Sequence, residues 1–198
     1  NEMKSRKLFK VCALLMLAVM SCLLFSGCGG QSEQKKFVIT YLPNESTDKN
    51  ADARKGMAGD LSKVLGMEVT ELVSNDYNAV IEAMRTGKAD MAYFGPLSFC
   101  LAYERAGAEP IGMIAKDKDK KNATYKSVLV TSSKNTDINS IQDIKGKTMA
   151  FVDPNSTSGN LIPSAAIMKA FPGEKLSMDD LHTNGKFFQA VSFSGKHQ

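Results

Sequence analysis

Cysteine is scarce. Four cysteines occur in 198 residues, and three of them, Cys12, Cys22 and Cys28, fall within the first 28 positions. Cys100 stands alone in the rest of the chain. A lone thiol makes no internal disulfide, so an exported protein of this composition relies on its core. Histidine is scarcer still. His182 and His197 are the only two, too far apart for a helical metal pair, and no Cys/His spacing suits a structural metal. No G-x-x-x-x-G-K-[ST] loop is present, and no general base, nucleophile or metal-ligand set accompanies the hydroxyl-rich stretches. The sequence therefore reads as a protein that is not an enzyme and needs no cofactor.

A strong charge excess is missing as well. The formal net charge is +4, of which residues 1–27 carry +3, through Lys4, Arg6, Lys7 and Lys10 against Glu2. The remainder nets only +1, which gives no general nucleic-acid surface. A membrane-length apolar run is lacking too. The longest, VCALLMLAVMSCLLF, has 15 residues, too short for a comfortable span. No internal repeat is visible. What remains is 43% hydrophobic and 23% charged, a balance that suits one to two folded domains with a real core.

The front of the chain reads as an export signal. MKSRKLFK is a basic start, the 15-residue run is its apolar core, and FSGCGG supplies small residues at a cut site. Ser26-Gly27-Cys28 resembles a bacterial lipobox, in which Cys28 receives lipid, such as palmitate, and becomes the mature N-terminus. The residue three before the cysteine is Phe25, where the motif usually has Leu. Residues 1–27 are thus expected to be a lipoprotein signal peptide. Residues 28–36, small and polar, are expected to be a flexible tether.

From Phe37 the chain alternates between strand and helix signals. Strands are expected at 37–42, 67–73, 89–94, 109–115, 125–131 and 148–152. Between the first two lies a helix with Met57, Leu61, Val64 and Leu65 on one face. The next helix turns Val80, Ile81 and Met84 inward and stops at Gly87. Another starts at Pro96 and stops at Gly107. Cys100, between Phe99 and Leu101, reads as a buried structural thiol. The charged DKDKKN, 117–122, is a solvated tip, and SIQDIKGK a short helix before a turn. Near the end, His182 reads as a surface helix residue, and Phe187, Phe188 and Phe193 as core. Asn44 suits a turn after Tyr41. Alternation with mostly short connections predicts α/β architecture with mainly parallel sheets.

Ligands of such sheets sit beyond the carboxyl ends of the strands, near helix N-termini. Three of those ends carry chemistry, and the first is TYLPNES after the first strand. AYFGPLS places Tyr93 at the rim, Gly95 at the turn and Pro96 at the helix start. FVDPNSTSGNLIP places Ser156, Thr157 and Ser158 before a new apolar period. Helix-start N–H groups and hydroxyls together favour an anion. They also make ordinary helix caps, since Ser and Thr oxygens accept orphan N–H groups. On the residues alone, capping is the better-supported reading. Pro163 has no N–H to give and is comfortable only in a first turn, so the helix proper starts late, near Ile162, or kinks there.

ADMAYFGPLSFCLA, DPNSTSGNLIPSAAI and the closing FSGKH resemble the substrate-binding lipoproteins of phosphonate, phosphite and phosphate ABC importers. The likeness runs from about Phe37 to the end. It implies a periplasmic-binding-protein-like (type II), two-lobed clamshell. On this pattern 37–124 form the first lobe, lacking its C-terminal return, and 125–198 form the hinge crossing and part of the second. The resemblance also implies that the oxygens of the ligand are gripped by Ser156, Thr157 and Ser158, faced by Tyr93 from the other lobe, with His197 as a positive or hydrogen-bonding partner. The family's motif continues past the histidine with an acidic residue where this chain has Gln198, so the chain is expected to be an N-terminal fragment with the second lobe incomplete.

The function so implied is a monomeric, lipid-anchored solute-binding component on the extracytoplasmic face of a bacterial membrane. It would capture a phosphorus oxyanion and deliver it to a membrane permease. The alternative is a surface lipoprotein with a degenerate cleft that serves partner recognition or signalling.

Overall fold

The computed structural model describes residues 35–43, 48–115 and 117–197. The expected signal peptide, Cys28, most of the expected tether, Asn44 and Gln198 lie outside the described residues. Apart from Lys35, the described residues belong to one compact unit, Lys36–Gln198.

Among the described residues are two parallel sheets. β1 (Phe37–Tyr41) lies between β2 (Val69–Leu72) and β3 (Met91–Tyr93), pairing Phe37 with Val69 and Ile39 with Met91. β4 (Thr148–Phe151) pairs with β5 (Ala190–Phe193), Thr148 opposite Ala190 and Phe151 opposite Phe193. Parallel strands need crossovers, and helices provide them. α1 (Ala51–Leu65) joins β1 to β2, and α2 (Tyr77–Arg85) joins β2 to β3. α3 (Pro96–Ala106) follows β3, and α4 (Ile162–Ala170) and α5 (Met178–His182) lie between β4 and β5.

The central position of β1 is what its sequence demands. A strand paired on both sides and covered on its faces buries its side chains, and Ile39, Thr40, Tyr41 and Leu42 are all buried. The α2 periodicity acts as expected, with Val80 and Ile81 fully buried. The second sheet has its own core of Phe151, Ile167, Leu181, Phe187 and Phe188. Val152, just past β4, packs instead on Leu42, Tyr77 and Val80 beside the first sheet, and this joins the carboxyl ends of the two sheets. The ladder also runs on past β5. Ser194 N–H donates to the Phe151 carbonyl over 2.9 Å and Gly195 N–H to that of Val152 over 2.6 Å.

Five expectations need correction. Phe193, expected in the core, is 39% exposed at the end of β5, while Phe187 and Phe188 are buried. Residues 109–115 and 125–131 form no strand. A strand exists by pairing with a neighbour, and neither segment has a ladder partner among the described residues. Their apolar side chains stand in solvent instead, with Ile111 81% and Val130 86% exposed. The α1 stripe is only partly covered. Met57, Val64 and Leu65 are exposed and no α1 residue is fully buried. The helix is tied to β2 by the Arg54–Glu71 ion pair, 2.7 Å, and by the bond from Val69 N–H to the Ser62 hydroxyl, 3.0 Å. Cys100 is exposed rather than buried, because α3 turns Ser98 and Ala102 inward. His182 is half-buried between aromatic rings and is not a surface residue.

Candidate functional site

The site is built from two strand-to-helix junctions and the segment between them. At the first, β3 ends on Tyr93 and the chain turns through Phe94 and Gly95 into α3. The Ser98 hydroxyl accepts from Gly95 N–H over 3.0 Å and donates to the Gly95 carbonyl over 3.1 Å, which fixes the turn. Leu97 N–H, in the first turn of α3, has no partner within its own helix.

At the second, β4 ends on Phe151 and the chain passes through Asp153 and Pro154 to Ser156. The segment Thr157–Leu161 is a single π-helical turn, and α4 begins only at Ile162, with Pro163 in its first turn. This is the late start that Pro163 requires. The Ser156 hydroxyl accepts from Gly159 N–H over 3.1 Å, so the capping role of the hydroxyl run is real. Gly159 leaves no room for a side chain here. A Cβ on it would lie 2.3 Å from Val152 Cγ2 and 2.4 Å from Val152 Cβ.

The two junctions meet. Leu97 N–H donates to Thr157 Oγ1 over 2.8 Å. A methyl-sized point above Gly95 lies 3.5 Å from Thr157 Oγ1, 3.9 Å from Ser98 Oγ and 4.0 Å from the Tyr125 hydroxyl oxygen. Three hydroxyls from three separate segments thus converge on one small volume. Because Thr157 Oγ1 already accepts a hydrogen bond, its own proton is left to donate. The segment that carries Tyr125 also holds the turn: Ser127 Oγ donates to the Ser158 carbonyl over 2.6 Å. His197, exposed, approaches from beyond β5, with Nε2 3.4 Å from Ser156 Oγ.

The structure therefore gathers Ser156, Thr157, Ser158 and His197 around one turn. Tyr93 is half-buried at the end of β3, two residues before Gly95. Cys28, the expected lipid attachment point, lies outside the described residues. Sequence reasoning missed Ser98, Tyr125 and Ser127. Tyr125 and Ser127 sit in a segment read only as a strand, and nothing local marks their hydroxyls as turned toward residue 157.

Asp153 also lies at the junction. Its carboxylate accepts from Asn155 N–H over 2.8 Å and from Tyr77 N–H at the start of α2. Burial, with a lesser push from the like charge of Asp76, holds its pKa above the usual carboxylate value. Among the described residues, no group of three or more His, Cys, Asp and Glu side chains is gathered where it could hold a metal ion.

Comparison with known proteins places the chain in a family. Residues 39–198 match the family described as ABC transporter, phosphonate, periplasmic substrate-binding protein. The chain is 31% identical over 162 residues to the phosphate-import protein PhnD of Mycolicibacterium smegmatis, covering 77% of this chain and 50% of that one. It is 31% identical over 161 residues to the phosphonates-binding periplasmic protein of Escherichia coli, covering 78% and 46%. It is 30% identical over 197 residues to the probable ABC transporter phosphite binding protein PhnD1 of Prochlorococcus marinus, covering 96% and 60%. Among solved structures it resembles a binding protein component of an ABC phosphonate transporter from Pseudomonas aeruginosa, with a TM-score of 0.64, 26% identity and coverage of 82% of this chain and 51% of that one. The fold is also that of Prochlorococcus marinus PhnD1 solved with methylphosphonate, with a TM-score of 0.53, 22% identity and coverage of 82% and 57%.

The α/β fold with parallel sheets is the one seen in periplasmic binding proteins of this kind. The chain belongs to the phosphonate substrate-binding family of ABC transporters. It spans about half the length of the curated relatives it matches.

Proposed function

We propose that this chain is the ligand-gripping part of a lipid-anchored solute-binding component of an ABC importer, and that its solute is a phosphorus oxyanion. The observation that carries the reading is the convergence of the Thr157 and Tyr125 hydroxyls above Gly95, in a turn that Ser98 fixes. A phosphonate or phosphate is costly to strip of water, and its site must replace that water with many donors. Thr157 and Ser156 supply hydroxyls from the π-turn, and the start of α3 supplies backbone dipole. Ser158 fixes the turn through its carbonyl, Tyr93 closes the rim, and His197 adds a donor that can carry charge.

The ligand sits between segments carried by different sheets. An anion held by one offers its remaining oxygens to the other, so binding favours the closed arrangement. In this reading residues 1–27 are the signal peptide, 28–36 the tether from a lipidated Cys28, 37–124 belong to one lobe, and 125–198 to the crossing and the second. The working protein is a monomer at the extracytoplasmic face that releases its solute to a permease, without catalysis.

The test is calorimetric titration of the soluble chain, from Gln31 on, with methylphosphonate, 2-aminoethylphosphonate, phosphite, phosphate and sulfate. A dissociation constant of about 1 μM or tighter for one phosphorus oxyanion is expected. No heat with any of the five, in a folded sample, would favour a surface lipoprotein with a degenerate cleft.

A further inference from the structure

The π-turn is held from behind by a group that the anion-binding reading does not use. Asn160, fourth in the turn, is 1% exposed. A buried amide side chain is costly unless its donors and acceptor are matched. Its Nδ2 donates to the Pro154 carbonyl over 2.9 Å, which ties the end of the loop to its beginning. Its Oδ1 receives the Ser164 hydroxyl at 3.4 Å and, at the much shorter distance of 2.7 Å, His182 Nε2. Since Oδ1 only accepts, the hydrogen lies on Nε2 of the imidazole.

The same ring is clasped by the ends of both strands that carry the site. It meets Phe151, the last residue of β4, edge-on at 5.1 Å and 72°. It meets Phe193, the last residue of β5, at 5.2 Å and 80°. Those two rings in turn stack on each other at 5.8 Å and 29°. Five residues after Phe151 comes Ser156, and four after Phe193 comes His197. One side chain, His182, thus touches the turn itself, the strand that leads into it and the strand that leads to the histidine opposite. Burial keeps that imidazole below its ordinary pKa, which suits a neutral ring with one fixed hydrogen.

We propose that His182 is a positioning residue for the anion site, setting the Ser156–Gly159 turn through Asn160 and aligning it with His197 through Phe193. The affinity arm of this inference rests on the ligand reading given above, while the conformational arm stands without it.

The test compares His182→Phe, which keeps a ring but loses the donor, with His182→Gln, whose amide nitrogen reaches about as far as Nε2. Amide hydrogen exchange is followed at Gly159 and Leu161, with α2 amides as the internal reference, and the chain is titrated with methylphosphonate and phosphate. In His182→Phe, exchange at Gly159 and Leu161 is expected to quicken about tenfold while α2 is unchanged, and oxyanion affinity to fall about tenfold. His182→Gln restores both to within about threefold of wild type. Unchanged exchange in the Phe variant, unchanged affinity despite faster exchange, or a Gln variant no better than Phe overturns the proposal. Wild-type protein that binds no oxyanion but shows the exchange pattern refutes the ligand reading and leaves the clamp on the turn intact. If the Phe variant fails to fold, the ring nitrogen shifts of wild-type His182 decide. Hydrogen on Nε2 is expected, and hydrogen on Nδ1 alone overturns the proposal.

Discussion

Leu97 and Thr157 are sixty residues apart in sequence and joined by a 2.8 Å hydrogen bond, from the first turn of α3 to the hydroxyl of the π-turn. That bond joins two strand-to-helix junctions into one candidate site. It satisfies an N–H that α3 leaves open, and it leaves the Thr157 proton to be donated elsewhere. Thr157→Val removes the acceptor and the proton together. We expect a stability loss of about 1 kcal/mol in urea denaturation and at least a tenfold loss of oxyanion affinity by calorimetry, worth about 1.4 kcal/mol. Thr157→Ser retains both. Undiminished affinity in the Val variant would remove Thr157 from the site.

Gly95 separates space from stability. Its φ is −82°, which any residue adopts, and an added Cβ meets its neighbours at ordinary van der Waals distances. Gly95→Ala should therefore melt within about 2 °C of wild type, since no buried group is strained or lost. Its methyl stands where the three hydroxyls converge, so oxyanion affinity should fall about tenfold or more. An Ala variant that binds as tightly as wild type would place the anion elsewhere.

Gly159 gives the opposite pattern. A Cβ there overlaps the branched Cβ of Val152, which sits on stiff backbone and has little room to rotate away. Gly159→Ala should cost about 1–3 kcal/mol as an overpacked contact. The Val152 N–H bond to the Gly159 carbonyl, 3.0 Å, should weaken with it. The urea midpoint reads this directly, and an unchanged midpoint would show that the turn can shift without cost.

Asp153 sets a pH dependence of defined sign. Burial, and then the charge of Asp76, raise its carboxyl above the ordinary 3.8, so the folded protein holds this proton more tightly than the unfolded chain does. Its contribution to stability is fullest below that ordinary value and declines as pH rises through the folded value. Asp153→Asn keeps an oxygen for the Asn155 and Tyr77 N–H groups and removes the decline. The variant should gain on wild type as pH rises from about 4 to about 7, followed by urea midpoints across that range. A pH-independent difference would show an ordinary carboxylate.

Much of this was legible along the chain because the signals are local. Pro163 dictated where α4 begins, the Val80–Ile81 period dictated which face of α2 is buried, and the hydroxyl run marked the turn that carries the candidate site. What local signals do not carry is the identity of the neighbour. Residues 109–115 and 125–131 have strand-forming composition, yet a ladder needs a second strand. Cys100 sits among apolar residues, yet the side of α3 it occupies faces solvent. His182 follows two acidic residues in a short helix, and only the fold brings Phe151, Phe193 and Asn160 around it. Tyr125 and Ser127 enter the site for the same reason, through a tertiary approach with no trace in their own surroundings.

The hydrogen bonds from Ser194 and Gly195 to Phe151 and Val152 have a bearing on how this protein tolerates change. They make the pitch of the ladder the gauge that sets how far Ser156 stands from His197. The connection that leaves α4 at Phe171 and reaches Leu176 is no part of that gauge. Insertions or deletions there can lengthen or shorten the chain between Ser156 and His197 while the spacing set by the ladder is preserved.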